Sequence, residues 1–599
     1  MVSESRDRRD SSSISMKLFE RKGKMRLLNK AYQWAISPRG IFFITIMVLA
    51  IPNIALCVTE RMSLLRASCN VILPLAAYIL LMSASKKTGK MVWCLFPLIF
   101  LEAFQLVLLY LFGQSIISVD MFLNVVTTNA NEVSELLGNL SNAIIMVVII
   151  NVPLLVYAVR SIIRKEELRR DFIIAQRKRG AALFVVGLLL LCGCYATDKE
   201  YSVRNDLYPV NVCYNLYLAV ERSNATANYD KTSAGFSFNA KSTRPADKKE
   251  VYVFVIGETA RAMNFGIYGY NRETTPLLAK TEGLTVFEYA LSQSNTTHKS
   301  VPMLLSAASA EDYDRIYREM SIITAFKEAG FHTAFISNQE PNRSFIDIFG
   351  NEADYSRTIA GTDVKGQHTD DFLLMDELDK VLKEGHKKLF IVLHTYGSHF
   401  CYRDRYPREK AFFRPDDATE AKAKNRNELL NAYDNSIRHT DELLHSIITR
   451  LTDSGSLAAM VYTSDHGENI FDDSRHRFLH ASPVPTYYDL RVPLIIWTSP
   501  AYRSDYSGIV RALNTNCKKS ASTNTSVFHT LLSIGGISTR FLSDSLSLAS
   551  PDYQPGKRYF LNDHNRAITL DEVGVKPPST PPKGGSPNLR GNLGTRMEE

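Results

Sequence analysis

Cysteine is scarce: the 599-residue chain has eight, and five of them (Cys57, Cys69, Cys94, Cys192, Cys194) lie in or beside long apolar runs. Only Cys213, Cys401 and Cys517 remain, an odd number without regular spacing, so no disulfide framework is legible. No C-x-x-C pair points to a thiolate-bound structural zinc. The segment 114–139 lacks lysine and arginine altogether, whereas the flanking loops are rich in them. Internal repeats are missing too, and 599 residues exceed one ordinary domain.

What is present divides the chain. Five apolar runs, at 41–58, 65–84, 91–113, 140–159 and 180–198, each have the length a bilayer requires, roughly 17–25 residues. A polar arm precedes the first run and is too long for a cleavable signal peptide. Basic residues set the expected orientation. They fill the arm (residues 1–40), the loop 84–91 and the loop 160–180, where eight occur. These segments are expected in the cytoplasm, with 114–139 and everything after 198 outside. Topology therefore explains the basic loops and the net charge of +8, and no nucleic-acid partner is expected.

Residues 199–245 read as a linker with a helix near 208–222. From 246 to 570, short apolar strands (250–257, 284–291, 332–337, 388–394, 458–464, 491–498) alternate with helical patterns (319–329, 370–384, 427–452, 524–534). That order predicts an α/β domain with a mostly parallel central sheet and its ligands at the carboxyl ends of the strands. The Pro/Gly/Ser-rich tail 571–599 is expected to be disordered.

Polar groups gather where strands should end: Glu258 after the first, His394 and His399 after the fourth, Asp465-His466 after the fifth, and His476 and His480 before the last. Glutamate, aspartate and neutral histidine are zinc-type ligands. The loop Ser294-Asn295-Thr296-Thr297-His298-Lys299-Ser300 adds four hydroxyls, and a hydroxyl beside a metal becomes a nucleophile suited to displacement at phosphorus or sulfur.

VYVFVIGETAR with NFGIYGYNRETTPLL, then TTHKSVP, LHTYGSH with RYP, AYDNSIRHTD and YTSDHGEN, together resemble the bacterial phosphoethanolamine transferases. These are alkaline phosphatase/sulfatase-superfamily enzymes that include the lipid A-modifying proteins of polymyxin resistance. The resemblance extends to the five-span membrane part. It implies an inner-membrane protein with a periplasmic catalytic domain, one zinc held by Glu258, Thr297, Asp465 and His466, and Thr297 as the group that carries phosphoethanolamine. His394, His399 and His480 match histidines that hold the phosphoethanolamine group or further zinc. Asn124, Thr128 and Glu132, at i, i+4 and i+8, share one helix face, which in the family helps bind the lipid headgroup. The implied donor is phosphatidylethanolamine, the acceptor a glycolipid (lipid A or a core sugar), and the protein a monomer.

Departures are visible. Gln293 and Met303 stand where a family disulfide spans the nucleophile loop, and Ser337-Asn338-Gln339 replaces a Cys/Lys/Gly stretch. His439 and His445 read as surface or packing groups on an amphipathic helix. Rival readings are a sulfatase, which needs a (C/S)-x-P-x-R motif that is absent near Thr297, a phosphoglycerol or phosphoethanolamine transferase acting on a periplasmic or surface glycan, and a non-enzymatic membrane receptor.

Overall fold

The structure is a computed structural model and describes residues 29–60, 62–113, 115–127, 141–359, 370–418, 420–473 and 475–577. The chain falls into two units, residues 1–117 with 140–215, and residues 118–139 with 216–599. The expected boundary at 198 thus moves into the linker region. The expected outward loop is also divided, because residues from Ser118 onward belong with the second unit.

The first unit contains α1 (Pro38–Thr59), α2 (Leu64–Met82), α3 (Thr88–Cys94), α4 (Phe96–Phe112), α6 (Ser141–Ile163) and α7 (Arg170–Thr197). Four of these are long and apolar enough to cross a membrane, and the pair α3–α4 makes a fifth if counted as one span bent by 61°. The bend corrects the straight third run at 91–113. Pro97 in the first turn of α4 lacks an N–H, and the chain breaks at Leu95. The loop expected at 160–180 is also shorter than read, because helix resumes at Arg170. Arginine, lysine and glutamine are good helix formers, and Phe172-Ile173-Ile174 gives that extension an apolar face. Phe42, Leu49, Tyr78 and Leu154 pack inside this unit, while Met47, Ile54, Ile149 and Leu189 are exposed, as hydrocarbon-facing residues would be.

The second unit is built on a seven-stranded sheet. Its strands are β1 (Glu250–Gly257), β2 (Leu284–Val286), β3 (His332–Ser337), β4 (Tyr355–Thr358), β5 (Lys388–His394), β6 (Leu457–Ser464) and β7 (Leu494–Thr498), in the spatial order β2-β7-β6-β1-β5-β3-β4. The five strands from β6 to β4 are parallel, and at one edge β7 pairs antiparallel with both β6 and β2. Every residue of β1 is buried. Its side chains alternate between two cores, Tyr252, Phe254 and Ile256 on one face and Val251, Val253 and Val255 on the other.

The strand expected at 284–291 is two. After Val286 the chain leaves the central sheet, and Tyr289–Leu291 pairs in parallel with Ser520–Ser522. Polar β4 carried no apolar signal. The long helix α10 (Arg426–Asp453) and α11 (Thr523–Gly535) fall within one residue of the expected limits. Order extends past 570: Leu570–Val573 is a helix opened by a Thr569–Glu572 capping box, and Val575 is buried. Residues 578–599 lie outside the described residues.

Candidate active site

Register sets the site. Gly257 lies beside Ser464 in the parallel pair β1–β6, so Glu258 and Asp465 leave the sheet as neighbours. Opposite them α9 (Thr297–Leu305) begins with Thr297, where unpaired backbone N–H groups and the helix dipole favour negative charge. Thr297 Oγ1 lies 3.3 Å from both carboxylate oxygens of Glu258 and 3.2 Å from His466 Nε2. His466 Nε2 is 3.2 Å from Asp465 Oδ2 and 3.6 Å from Glu258 Oε1. The four residues expected to act together therefore converge.

Their surroundings hold them in place. His466 Nδ1 faces the Gly467 carbonyl at 2.9 Å, so it carries the proton and leaves the Nε2 lone pair toward the cluster. Asp465 Oδ1 accepts from the N–H groups of Thr259 (3.1 Å) and His466 (2.7 Å). Its Oδ2 is buried without a hydrogen bond. Thr259 sits at φ +61°, a rare conformation for a β-branched residue. The Tyr433 hydroxyl donates to the Thr259 carbonyl at 2.8 Å and accepts from Arg261 N–H at 2.9 Å, which supports that turn.

Three of the four loop hydroxyls have structural work. Ser300 Oγ donates to the Asp465 carbonyl at 2.6 Å and receives Asn524 Nδ2 at 2.9 Å, tying α9 to the end of β6 and to α11. Thr296 and Ser294 bond each other at 3.1 Å. Where the family disulfide would stand, Gln293 N–H donates to Asn524 Oδ1 (2.7 Å), Gln293 Oε1 accepts from Ala310 and Thr525, and Met303 is buried in the core. Among the described residues none of the eight cysteines is joined in a disulfide. Gln339 donates from Nε2 to Glu258 Oε2 at 3.1 Å. Gln339, Thr259 and Asn524 were not read from the sequence, since an amide or hydroxyl in a loop carries no pattern.

His399 and His480 join the site through Glu258, with ligand atoms within 4.8 Å of one another. The His480 ring is 4.2 Å from that of His466. His399 Nδ1 faces the Phe400 carbonyl at 2.7 Å. His394 is in neither converging group; its Nδ1 meets Ser337 Oγ at 3.2 Å, and its Nε2 is buried without a partner. Asn124 lies in α5 (Val119–Thr127), whereas Thr128 and Glu132 lie outside the described residues. One turn before Asn124, Asp120 pairs with Lys299 Nζ at 2.6 Å. His439 bonds Asp370 at 2.7 Å, a packing role as expected.

Burial pushes the Glu258 carboxyl up to about 7, with the nearby Asp465 charge adding to it, and burial pushes Asp465 up to about 7. The same desolvation lowers His466 to about 4 and holds His399 and His480 below the ordinary imidazole value. Two buried carboxylates, one imidazole lone pair and one hydroxyl thus face a common point. Among the described residues no lysine or arginine pairs with either carboxylate. That donor set and its missing positive charge fit a zinc ion.

A family model described as Sulfatase matches residues 250–537. The Kdo(2)-lipid A phosphoethanolamine 7''-transferase of Salmonella typhimurium is 30% identical over 264 residues, 43% of this chain and 46% of the relative. The phosphoethanolamine transferase EptC of Escherichia coli K12 is 25% identical over 329 residues, 53% of this chain and 56% of the relative. The match thus spans about half the length of these curated relatives. The lipooligosaccharide phosphoethanolamine transferase A structure from Neisseria meningitidis superposes with a TM-score of 0.68 at 21% identity, over 85% of this chain and 97% of that one. That likeness shows that both units share its fold. The EptC periplasmic domain from Escherichia coli, in complex with Zn, has a TM-score of 0.51 at 23% identity and covers 56% of this chain and 96% of that domain. Residues 250–537 therefore match the sulfatase family model on an alkaline phosphatase/sulfatase-like fold, and over about half its length the chain is similar to bacterial phosphoethanolamine transferases.

Proposed function

We propose that this chain is an inner-membrane enzyme that moves phosphoethanolamine from phosphatidylethanolamine to a lipopolysaccharide acceptor, lipid A or a core sugar, by way of Thr297. One observation carries the reading: Thr297 Oγ1 meets Glu258 and His466 at the ends of adjacent strands, in a domain whose relatives are named for phosphoethanolamine transfer. Glu258, Asp465, His466 and Thr297 would hold zinc. When bound, that ion acts as a Lewis acid that lowers the pKa of a hydroxyl ligand and balances charge on phosphoryl oxygens.

The chain's own residues account for the rest. In the first displacement the Thr297 Oγ1–phosphorus bond forms as the diacylglycerol oxygen–phosphorus bond breaks. His399 or His480, neutral at pH 7 because burial depresses their pKa values, would pass the Thr297 proton to the departing diacylglycerol oxygen. In the second displacement an acceptor oxygen bonds to phosphorus, Thr297 leaves, and the acceptor's proton returns to Thr297 by the same route. Covalent storage lets one site handle two bulky lipids in turn.

The basic loops support a periplasmic placement of residues 216–577. The test is mass spectrometry of envelope glycolipids from cells with and without the protein. Phosphoethanolamine-bearing glycolipid should appear only with the protein, and identical glycolipid profiles would refute the reading.

A further inference from the structure

The first turn of α9 also borders a cavity of about 420 Å³, within the roughly 300–1,000 Å³ range of small-ligand sites. His298 and Lys299, the two residues after Thr297, line it together with Arg222, Arg343, Tyr313 and Tyr317. Positive charge exceeds negative here. Asp120 is shared by Lys299 (2.6 Å), the His298 ring (3.3 Å) and Arg222 (3.6 Å). The next carboxylate, Asp563, accepts from the backbone N–H groups of Val119 and Asp120 at 2.8 and 2.9 Å. Arg222 Nη1 is buried and makes no hydrogen bond, a state that costs free energy unless a ligand satisfies it.

Arg343 is the exposed member of the set. The N–H groups of Asn342 and Arg343 both donate to Asp347 Oδ2, at 2.8 and 2.5 Å, and Arg343 sits at φ +59°. That conformation is unusual for a long side chain, and it holds the residue at the cavity lining. No carboxylate pairs with its guanidinium among the described residues.

Guanidinium groups recognise phosphate and carboxylate through paired N–H donors, and aromatic faces offer apolar surface to a sugar ring. The donor lipid's one anionic group, its phosphodiester, has to lie at Thr297 itself, and neither end of the donor suits this lining. Its ammonium would be repelled by Arg222, Lys299 and Arg343, and diacylglycerol is uncharged. From this we infer that the cavity binds the anionic sugar head of the acceptor, a sugar bearing phosphate or carboxylate, and so presents it to the phosphorylated Thr297. The inference rests on the transferase reading above and names the substrate class of its second step.

Glucose 1-phosphate is the probe, glucose the uncharged control, and the protein the full chain in detergent micelles, read by calorimetry. Glucose 1-phosphate should bind at least tenfold more tightly than glucose. Arg343→Asn, chosen because asparagine tolerates a positive φ, should weaken it about tenfold, and Arg222→Gln should do the same. In the wild type, glucose 1-phosphate should compete with the glycolipid acceptor and leave the rate of adduct formation on Thr297 unchanged. Equal binding of the two sugars, or wild-type affinity in both variants, would overturn the inference. Slower adduct formation would put the cavity on the donor side and overturn it as well. Charge-selective binding without any Thr297 adduct would refute the transferase reading and leave the anion pocket standing.

Discussion

Glu468 shows how tightly the site's charge is balanced. It follows the Asp465-His466-Gly467 turn, is fully buried, and has its Oε1 3.4 Å from His480 Nδ1. Burial pushes its carboxyl up to about 8, although the His466 and Arg261 charges pull the other way. An unfolded glutamate titrates near 4.3. The folded state therefore holds a proton that the unfolded state releases between about pH 4.3 and 8, so stability falls as pH rises through that window. Glu468→Gln removes the titration. In zinc-stripped protein, its unfolding free energy relative to wild type should rise by up to about 1.4 kcal/mol per pH unit across the window and level off above it. Denaturant unfolding at a series of pH values measures this, and a flat difference would contradict it. The carboxylate and imidazole types marked the strand ends, but the choice of Thr297 among four loop hydroxyls came from the family resemblance alone. Gln339 and Thr259 were not legible, because their importance lies in one hydrogen bond and one backbone angle.

The nucleophile loop is an element held by polar contacts. Asn524 bonds both Gln293 N–H and Ser300, and Ser300 reaches the Asp465 carbonyl. These contacts stand where the resemblance places a disulfide, and among the described residues no disulfide is formed. Thiol reductants should therefore leave transfer rate and thermal midpoint unchanged. A loss of either on reduction, restored by reoxidation, would show a disulfide the structure lacks. Long helices and apolar strands at this scale were legible from periodicity, with α10 and α11 within one residue of expectation. The apolar run 284–291 misled because its two halves serve different sheets, a choice made by distant partners at Leu494–Thr498 and Ser520–Ser522. The run at 91–113 misled because Pro97 breaks it.

Across the whole molecule, composition divided the chain into an apolar part and an α/β part, and the division at 215/216 falls inside the expected linker, but the grouping of 118–139 with the second unit was not legible. Val119 and Asp120 donate to Asp563, 444 and 443 residues away, and a pairing over that distance leaves no local trace. The pattern of basic loops does survive as a testable statement. Reporter fusions after residue 245 should be active only in the periplasm, and cytoplasmic activity would invert the orientation. The central claim is covalent transfer through Thr297, and the most direct measurement is peptide mass analysis of protein incubated with phosphatidylethanolamine. Phosphoethanolamine should be found on Thr297 in the wild type and be absent, along with transfer, in Thr297→Ala. Transfer by Thr297→Ala at a near wild-type rate would contradict the account.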